Sequence, residues 1–334
     1  MGSYLGRGRA LLTLVAIALL AISVGAALII PSLRDGSRSA ISSAGQIGAA
    51  SEHAAEYLLR SQNRDGGFGE ARARDSAQVS SAWVALGLAA TGREPDRVSR
   101  GGPSVTEYLR VHTPSPTDAA SLERSILVAR AAGVSPRKLR RRASYEALLG
   151  RRADNGSFEN LVNLTAFGVL AMRAAGEPQD SDRVRRSVTW LRDQQNLDGG
   201  FGFSARPSTS DVDDTAATLQ ALAAGGQRRG LTVDRAMGYL LRAQRSDGGF
   251  GQAFGETSNA QSTSWATQGL IAVGGERSDT AVRSTLSYLC SLQASDGSIR
   301  YSQGSAQTPV WVTGQGLLAL SRRPLPVEAP GSRP

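Results

Sequence analysis

Three aspartates fall within four residues, at Asp211, Asp213 and Asp214, at the start of an apolar stretch with a helical pattern. Asp side chains are favoured at helix N-termini because their oxygens accept hydrogen bonds from free backbone N–H groups. Carboxylates there also interact favourably with the helix dipole. The cluster therefore fits a helix cap, and it also offers carboxyl groups that could contact a polar ligand.

A group of aromatic side chains stands near the starts of similar apolar segments elsewhere in the chain. Core packing is the common fate of such residues, and a cluster that lines one mouth of a cavity is the alternative. Asn163 and Gln261 align with Asp213 when the segments are superposed, so they are candidate ligand contacts as well. The aromatic candidates are Trp83, Phe167, Trp265 and Trp311.

Residues that bind transition metals are scarce. The chain has two histidines, His53 and His112, and one cysteine, Cys290. This set argues against a dedicated zinc site, and the cysteine has no partner in the chain for a disulfide. We therefore predict neither a metal site nor a cofactor.

A recurring turn must position these candidates, and it has the form Gln-x-x-Asp-Gly-Gly-Phe-Gly. Weaker copies surround Phe158 and Ile299, and the interval between Phe68 and Phe158 is about twice the others. One unit without the motif therefore lies in that interval, around 108–133, which gives six units. The structural turn residues are Gln62, Asp65 and Phe68; Gln195, Asp198 and Phe201; and Gln244, Asp247 and Phe250.

Each turn follows an amphipathic helical pattern and precedes a more apolar one. The first pattern suits an outer helix and the second an inner helix that packs on both sides. A lone pair cannot bury its apolar face, so neighbouring pairs must stack. The sequence predicts about twelve helices in a closed ring, with an open solenoid as the alternative, and each motif Gln is expected to bond an adjacent unit. The predicted inner helices include Val79–Ala90, Asn163–Ala175, Asp214–Ala224 and Ser262–Val273.

The turn resembles the Gln–Asp-Gly-aromatic repeat shared by terpene cyclases and the β subunits of protein prenyltransferases. The resemblance covers about 46–322 and implies an all-α fold, an α/α toroid of about six helical hairpins. Asp211-Val212-Asp213-Asp214 also looks like the Asp-x-Asp-Asp motif of squalene–hopene cyclases. That similarity implies a general acid at Asp213, tuned by Asp211 and Asp214, that protonates an alkene.

Other features of the chain differ from those of the toroid families that it resembles. Class II cyclases resemble two stacked toroids, whereas this chain has length for one. The Asp, Cys and His ligands implied for a zinc prenyltransferase are missing. Cobalamin carriers share the toroid but add a small second domain, which the chain lacks. A toroid also hosts several unrelated activities, so fold resemblance alone does not give function.

The N-terminus carries a targeting signal. Arg7 and Arg9 precede an uncharged apolar run, Ala10–Ile30, which is long enough at about 1.5 Å per residue to span a bilayer core of about 30 Å. We predict a signal anchor over 1–31 and a linker over 32–45, with the repeat domain outside the cytoplasm. Signal cleavage followed by secretion is the alternative.

The remaining features concern partners. Arginine clusters give a net charge of +9 and read as solvated helix faces or as contacts with anionic surfaces; no nucleic-acid motif accompanies them. A Pro-rich tail over 323–334 is expected to be disordered. The leading interpretation is a membrane-anchored, non-catalytic module that binds an apolar, isoprenoid-like ligand or a protein partner at the toroid mouth. A terpene cyclase with Asp213 as general acid is the alternative.

Overall fold

The computed structural model describes residues 33–112, 118–134 and 143–331, and these are almost entirely helical apart from short loops and isolated bridges. The chain divides into two compact units, Met1–Ile41 and Ser42–Pro334. A short 3-10 helix, Pro95–Arg97, lies before the third α-helix. The α-helices of the described residues are α1 (Leu33–Ser61), α2 (Gln78–Ala90), α3 (Val105–His112), α4 (Ala119–Ala131), α5 (Ala143–Leu149), α6 (Val162–Ala174), α7 (Asp182–Asp193), α8 (Val212–Ala224), α9 (Leu231–Ala243), α10 (Ala260–Val273), α11 (Glu276–Ser291) and α12 (Pro309–Leu320).

The even-numbered helices form an inner ring within the second unit. Each packs against the next, and α12 packs against α2, which closes the ring. These helices are buried along nearly their whole length, because neighbours cover them on both sides. Most odd-numbered helices pack outside and bury one face, as α7 does with Val184, Val188 and Leu191 at helical spacing. The predicted α/α toroid of six hairpins is confirmed, and the open solenoid is excluded.

The motif glutamine joins adjacent hairpins. Gln195 Nε2 donates to the carbonyl of Gly199 in its own turn at 2.9 Å and to the carbonyl of Thr232 at the start of α9 at 2.8 Å. Gln62 and Gln244 make the equivalent pairs of bonds. In the last unit Gln293 Nε2 donates to the carbonyl of Ala50 in α1 at 2.8 Å. This bond links the last hairpin to the first.

The rest of the motif fixes the turn onto the inner helix. Asp198 Oδ1 accepts from the Gly200 N–H at 2.9 Å, and Asp65 and Asp247 make the same bond in their own turns. The fully buried Phe201 donates its N–H to Thr215 Oγ1 in α8 at 2.9 Å. Phe68 and Phe250 repeat this contact with residues of α2 and α10.

The first glycine of the turn, Gly199, cannot be replaced without strain. Gly199 has a φ of +91°, a conformation that favours glycine. A Cβ atom there would also lie 2.6 Å from the carbonyl oxygen of Arg235 in α9. The Asp-Gly-Gly sequence therefore sets both the reversal of the chain and the close approach of the next outer helix.

The C-terminal tail departs from the expectation of disorder. Residues 323–331 pack against the ring, with Leu325 and Val327 buried. The N–H of Leu325 donates to Gln220 Oε1 of α8 at 2.9 Å, and Glu328 pairs with Arg130 of α4 at 2.6 Å. The prediction rested on the high proline content and did not consider these two apolar side chains, which are buried near the C-terminal ends of the inner helices. Residues 332–334 lie outside the described residues.

The N-terminal predictions are only partly covered. The predicted anchor, 1–31, lies outside the described residues. Among the residues that are described, none of the helices is long and apolar enough to cross a membrane. The described part of the predicted linker, 33–45, is helical, because α1 begins at Leu33.

Candidate functional site

The N-terminal ends of all six inner helices meet at one end of the ring and enclose a space of about 280 Å³, which we call the mouth cavity. Its lining forms two layers, separated by four residues along each helix, so that both layers share one helix face. The upper layer consists of Val79, Ala120, Asn163, Asp213 and Trp311. The lower layer consists of Trp83, Arg124, Phe167, Ala217, Trp265 and Gln315, and Glu123 also lines the cavity.

Three aromatic rings close the cavity from below, and we call them the aromatic floor: Trp83, Phe167 and Trp265. Each ring meets the other two edge to face, with centroids 5.2 Å apart for Trp83 and Trp265, 5.6 Å for Phe167 and Trp265, and 6.0 Å for Trp83 and Phe167. All three side chains are buried. They therefore pack as core residues and present a small apolar surface to the cavity, so both interpretations of the sequence apply to them.

The three aspartates have separate positions. Asp211 is the N-cap of α8, and its Oδ1 accepts from the N–H of Asp214 at 2.8 Å. Asp214 is buried and accepts a hydrogen bond of 2.7 Å from Asn163 Nδ2, which ties α6 to α8. Asp213 alone of the three lines the mouth cavity, and its Oδ1 has no hydrogen-bond partner among the described residues. One residue caps the helix, one bridges two helices and one faces the cavity.

Burial controls the ionisation of this cluster. Burial raises the pKa of Asp213 to about 7, with a contribution from the nearby carboxylates of Asp214 and Glu256, while the Ser262 hydroxyl opposes the shift. The pKa values of Asp211 and Asp214 are both raised, first by burial, and the two carboxyl groups are close enough to interact. The charge on Asp214 also disfavours ionisation of Asp211.

Two other predicted contacts complete the cavity. Trp311 lines it with one face, and its indole Nε1–H is buried without an acceptor among the described residues. Gln261 lies behind the lining, where its Nε2 donates to Gln315 Oε1 at 2.7 Å. Gln261 therefore acts on the cavity through Gln315, a residue that the sequence analysis did not select.

The sequence analysis also did not select Glu123 and Arg124, two neighbouring residues of α4 that line the cavity. Glu123 is 1% exposed, its Oε1 has no partner among the described residues, and burial raises its pKa well above the usual range. Arg124 donates to Gln78 Oε1 and to Ser121 Oγ, both at 3.2 Å, and makes no ion pair within the described part of the chain. Burial lowers the pKa of Arg124, although a guanidinium stays charged in proteins.

A sequence signal for Glu123 exists. The residue directly before the lower-layer residue is small in each of the other inner helices. Only α4 carries a long charged side chain there, and α4 belongs to the unit without the turn motif. Extending the alignment through that unit would have marked both Glu123 and Arg124. The equivalent small residues are Ala82, Ala166, Ala216, Ser264 and Gly314.

Metal-binding groups do not converge anywhere in the described ranges: no three His, Cys, Asp or Glu side chains lie close enough to hold an ion. Cys290 is a free cysteine on the outer helix α11, and burial raises its pKa.

The inner and outer helices form an α/α toroid, and two parts of the sequence are similar to families with such a fold. Residues 155–254 match the model of the squalene-hopene cyclase C-terminal domain, and residues 13–106 match the model of the prenyltransferase alpha-alpha toroid domain. No curated protein matches the sequence significantly. The resemblance drawn from the turn motif and the aspartate cluster is therefore supported by both family models.

Solved structures agree on the fold. A variant of the type II terpene cyclase MstE from Scytonema, in complex with geranylgeranyl dihydroxybenzoate (substrate), superposes with a TM-score of 0.61 at 16% identity, over 84% of this chain and 98% of that chain. A protein from Actinoplanes gives 0.62 at 17%, over 83% and 99%. A glycosidase variant in complex with glucose gives 0.60 at 11%, over 84% and 97%. These likenesses establish the toroid and leave the chemistry open.

One expectation is corrected by these comparisons. The resemblance to two-toroid cyclases implied that a chain of one ring is too short for a class II cyclase. The Scytonema cyclase is matched over 98% of its chain by 84% of this one. A single ring is therefore the length of at least one type II terpene cyclase, and chain length no longer argues against that class.

Proposed function

We propose that the chain is a ligand-binding module that takes an apolar, isoprenoid-like group into the mouth cavity. The size and walls of that cavity carry the proposal. At about 280 Å³ it lies just below the roughly 300–1,000 Å³ of sites that enclose a small molecule. The aromatic floor blocks deeper entry, so a long isoprenoid would bury only one end there.

The chemistry of the walls favours an unsaturated hydrocarbon. Trp83, Phe167 and Trp265 supply aromatic surface, while Val79 and Ala217 supply aliphatic surface. Burial of hydrocarbon against such side chains contributes about 25 cal/mol per Å². The Scytonema cyclase of the same fold was solved with a geranylgeranyl-bearing substrate, and this similarity supports an isoprenoid over other apolar groups.

Filling the cavity tests the proposal. Ala217 lies on α8 one turn below Asp213, so Ala217→Leu places extra atoms inside the cavity. We expect this variant to lose binding of geraniol, measured by quenching of tryptophan fluorescence in the full chain in lipid nanodiscs. Ala224→Leu, about two turns along the same helix at the opposite end of the ring, is the matched control and should bind as wild type. Unchanged geraniol binding by Ala217→Leu would contradict the proposal.

Native mass spectrometry provides an independent test. The protein is purified from its own host and its lipid extract is examined for a bound isoprenoid. A co-purifying isoprenoid supports the proposal. A ligand-free protein that co-purifies with a second protein instead favours a protein partner at the toroid mouth.

A second function, terpene cyclisation, is favoured by Asp213. Its carboxyl group faces the cavity above the small Ala217, on the helix between those that carry Phe167 and Trp265. A protonated carboxyl there could transfer its proton to an alkene, and neighbouring aromatic faces would stabilise the resulting carbocation. Loss of a proton from the cyclised cation would then restore the carboxylic acid. Asp213→Asn should abolish such turnover while binding of the polyene persists.

We also propose that the segment 1–31 anchors the chain in the cell membrane, with the ring outside the cytoplasm. The uncharged run Ala10–Ile30 supports this proposal. Fractionation of host cells tests it: the protein should sediment with membranes and resist carbonate extraction. Recovery of a shortened chain from the medium would favour cleavage and secretion.

A further inference from the structure

We infer that the mouth cavity selects amphiphiles with an anionic head group, which Arg124 binds with help from Trp311 and Glu123 while the hydrocarbon rests on the aromatic floor. The inference rests on the proposed binding function and specifies its ligand class. The residues concerned come from α4 and α12, and none of the turn motifs includes them.

Arg124 carries the argument. Its guanidinium lines the cavity, is partly buried, and bonds only to the neutral oxygens of Gln78 and Ser121. No carboxylate forms a salt bridge with it within the described residues, although the nearby carboxyl groups of Asp118 and Glu123 favour its charged form. A buried charge is costly unless it is paired and hydrogen-bonded. An anion in the cavity would supply the missing partner.

Two buried polar groups without hydrogen-bond partners also favour an anionic ligand. An indole Nε1–H only donates hydrogen bonds, so the partner missing at Trp311 is an acceptor. Glu123 is almost completely buried and its Oε1 has no partner. Burial raises the pKa of Glu123 well above the usual range, and in its protonated form the carboxyl group offers a further O–H donor. Acceptor oxygens on a ligand would satisfy all three side chains.

The helix arrangement adds a favourable field. All six inner helices begin at the cavity, and each N-terminus carries a partial positive charge. Helix N-termini are common anion sites for this reason. The opposing groups are the aspartates of α8, Glu256 beyond them, and Asp118 at the N-cap of α4, whose charge acts on Arg124. Asp213 is the only one of these that lines the cavity, and with a pKa of about 7 it is mostly protonated at pH 6.

The head group is a carboxylate or a phosphate. A guanidinium presents parallel N–H donors that match two oxygens of either group. Both classes carry more than one acceptor, which leaves an oxygen for Trp311. A neutral alcohol offers one oxygen and no charge, and an amine would face the unpaired guanidinium of Arg124.

Four probes with the same C10 chain test this inference: geranic acid, geranyl phosphate, geraniol and geranylamine. Binding to the full chain in nanodiscs is followed at pH 6 by tryptophan fluorescence, since three of the four tryptophans line the cavity. We expect at least one anionic probe to bind about 10- to 100-fold more tightly than geraniol, the range for a hydrogen bond to a charged group. Arg124→Gln should remove this preference, so that the affinities for the anionic probe and for geraniol differ by less than about twofold. The matched control, Arg185→Gln on the exposed face of α7, should keep the preference.

A second variant covers a failure of Arg124→Gln to fold, which circular dichroism would reveal. Trp311→Phe keeps an aromatic ring but removes the N–H donor, so it should weaken binding of the anionic probe about tenfold more than binding of geraniol. Tight binding of geranic acid alone identifies a carboxylate, and of geranyl phosphate alone a phosphate; both support the inference. Geraniol binding that equals the acids, or preferred binding of geranylamine, would overturn it while the proposed function stands. Failure of all four probes to bind would overturn both.

Discussion

Replacing Asp213 with asparagine tests whether this residue is a buried acid that faces the cavity or a residue that stabilises the helix end. The substitution keeps the shape of the side chain and removes its titration. Asp213 has a pKa raised from 3.8 to about 7. Between these two values the folded protein binds a proton that the unfolded chain releases. Wild-type stability therefore falls as the pH rises through this window and levels off above it.

The size of the effect follows from the width of that window. One pKa unit corresponds to about 1.4 kcal/mol. At pH 5 the wild type has lost only a small part of this stability, and at pH 8 it has lost all of it. The stability of Asp213→Asn relative to wild type should therefore increase by about 2 to 3 kcal/mol between pH 5 and pH 8. The neighbouring carboxyl groups of Asp214 and Glu256 are present in both proteins, so the difference between the two reports mainly on Asp213.

Urea denaturation at pH 5, 6, 7 and 8, followed by tryptophan fluorescence, measures this difference. A destabilisation of about 1 kcal/mol by Asp213→Asn at every pH would refute the reasoning. It would mean that Asp213 stabilises the helix end in its ionised form and is not a buried acid.

Further predictions concern the scaffold and the site. Asp211→Ala should lower the free energy of unfolding by about 1 kcal/mol through loss of the N-cap, measured by urea denaturation; no change would contradict the assigned bond. Phe201→Ala should cost about 3 to 5 kcal/mol because the ring is fully buried, whereas Phe203→Ala, 54% exposed, should change stability by less than about 0.5 kcal/mol. Leu325→Ala should lower the free energy of unfolding by about 2 kcal/mol or more. A thermal midpoint equal to that of the wild type would mean that the tail is disordered. Binding of geranic acid should weaken from pH 6 to pH 8, as Asp213 gains a negative charge beside the anion; stronger binding at pH 8 would argue against an anionic head group.

The scaffold was largely predictable because its signals are local and repeated. The predicted inner helix Val79–Ala90 differs from the observed α2 by one residue at its start. The Asp-Gly-Gly turn fixes where each inner helix begins, and six such units can stack only in a ring or a solenoid. The choice between a closed ring and an open solenoid was not predictable, since no single residue encodes the contact between α12 and α2.

The cavity was predictable only where the repeats could be aligned. The aromatic floor and Asp213 fall in columns that the motif units share. Glu123 and Arg124 lie in the one unit without the motif, so no column pointed to them. The separate positions of Asp211, Asp213 and Asp214 depend on a register of one residue at the N-cap, which sequence patterns do not resolve.

The bond from Gln293 to Ala50 spans 243 residues of sequence, and it has a consequence for how the protein is made. During synthesis the growing chain can stack one hairpin on the next, but the last hairpin must emerge before the first gains its second neighbour. Until then the apolar sides of α2 and α10 that α12 covers remain open to solvent. A nascent chain of this protein should therefore depend on protection from aggregation until its final hairpin is released, and premature termination within α12 should yield a species that chaperones retain.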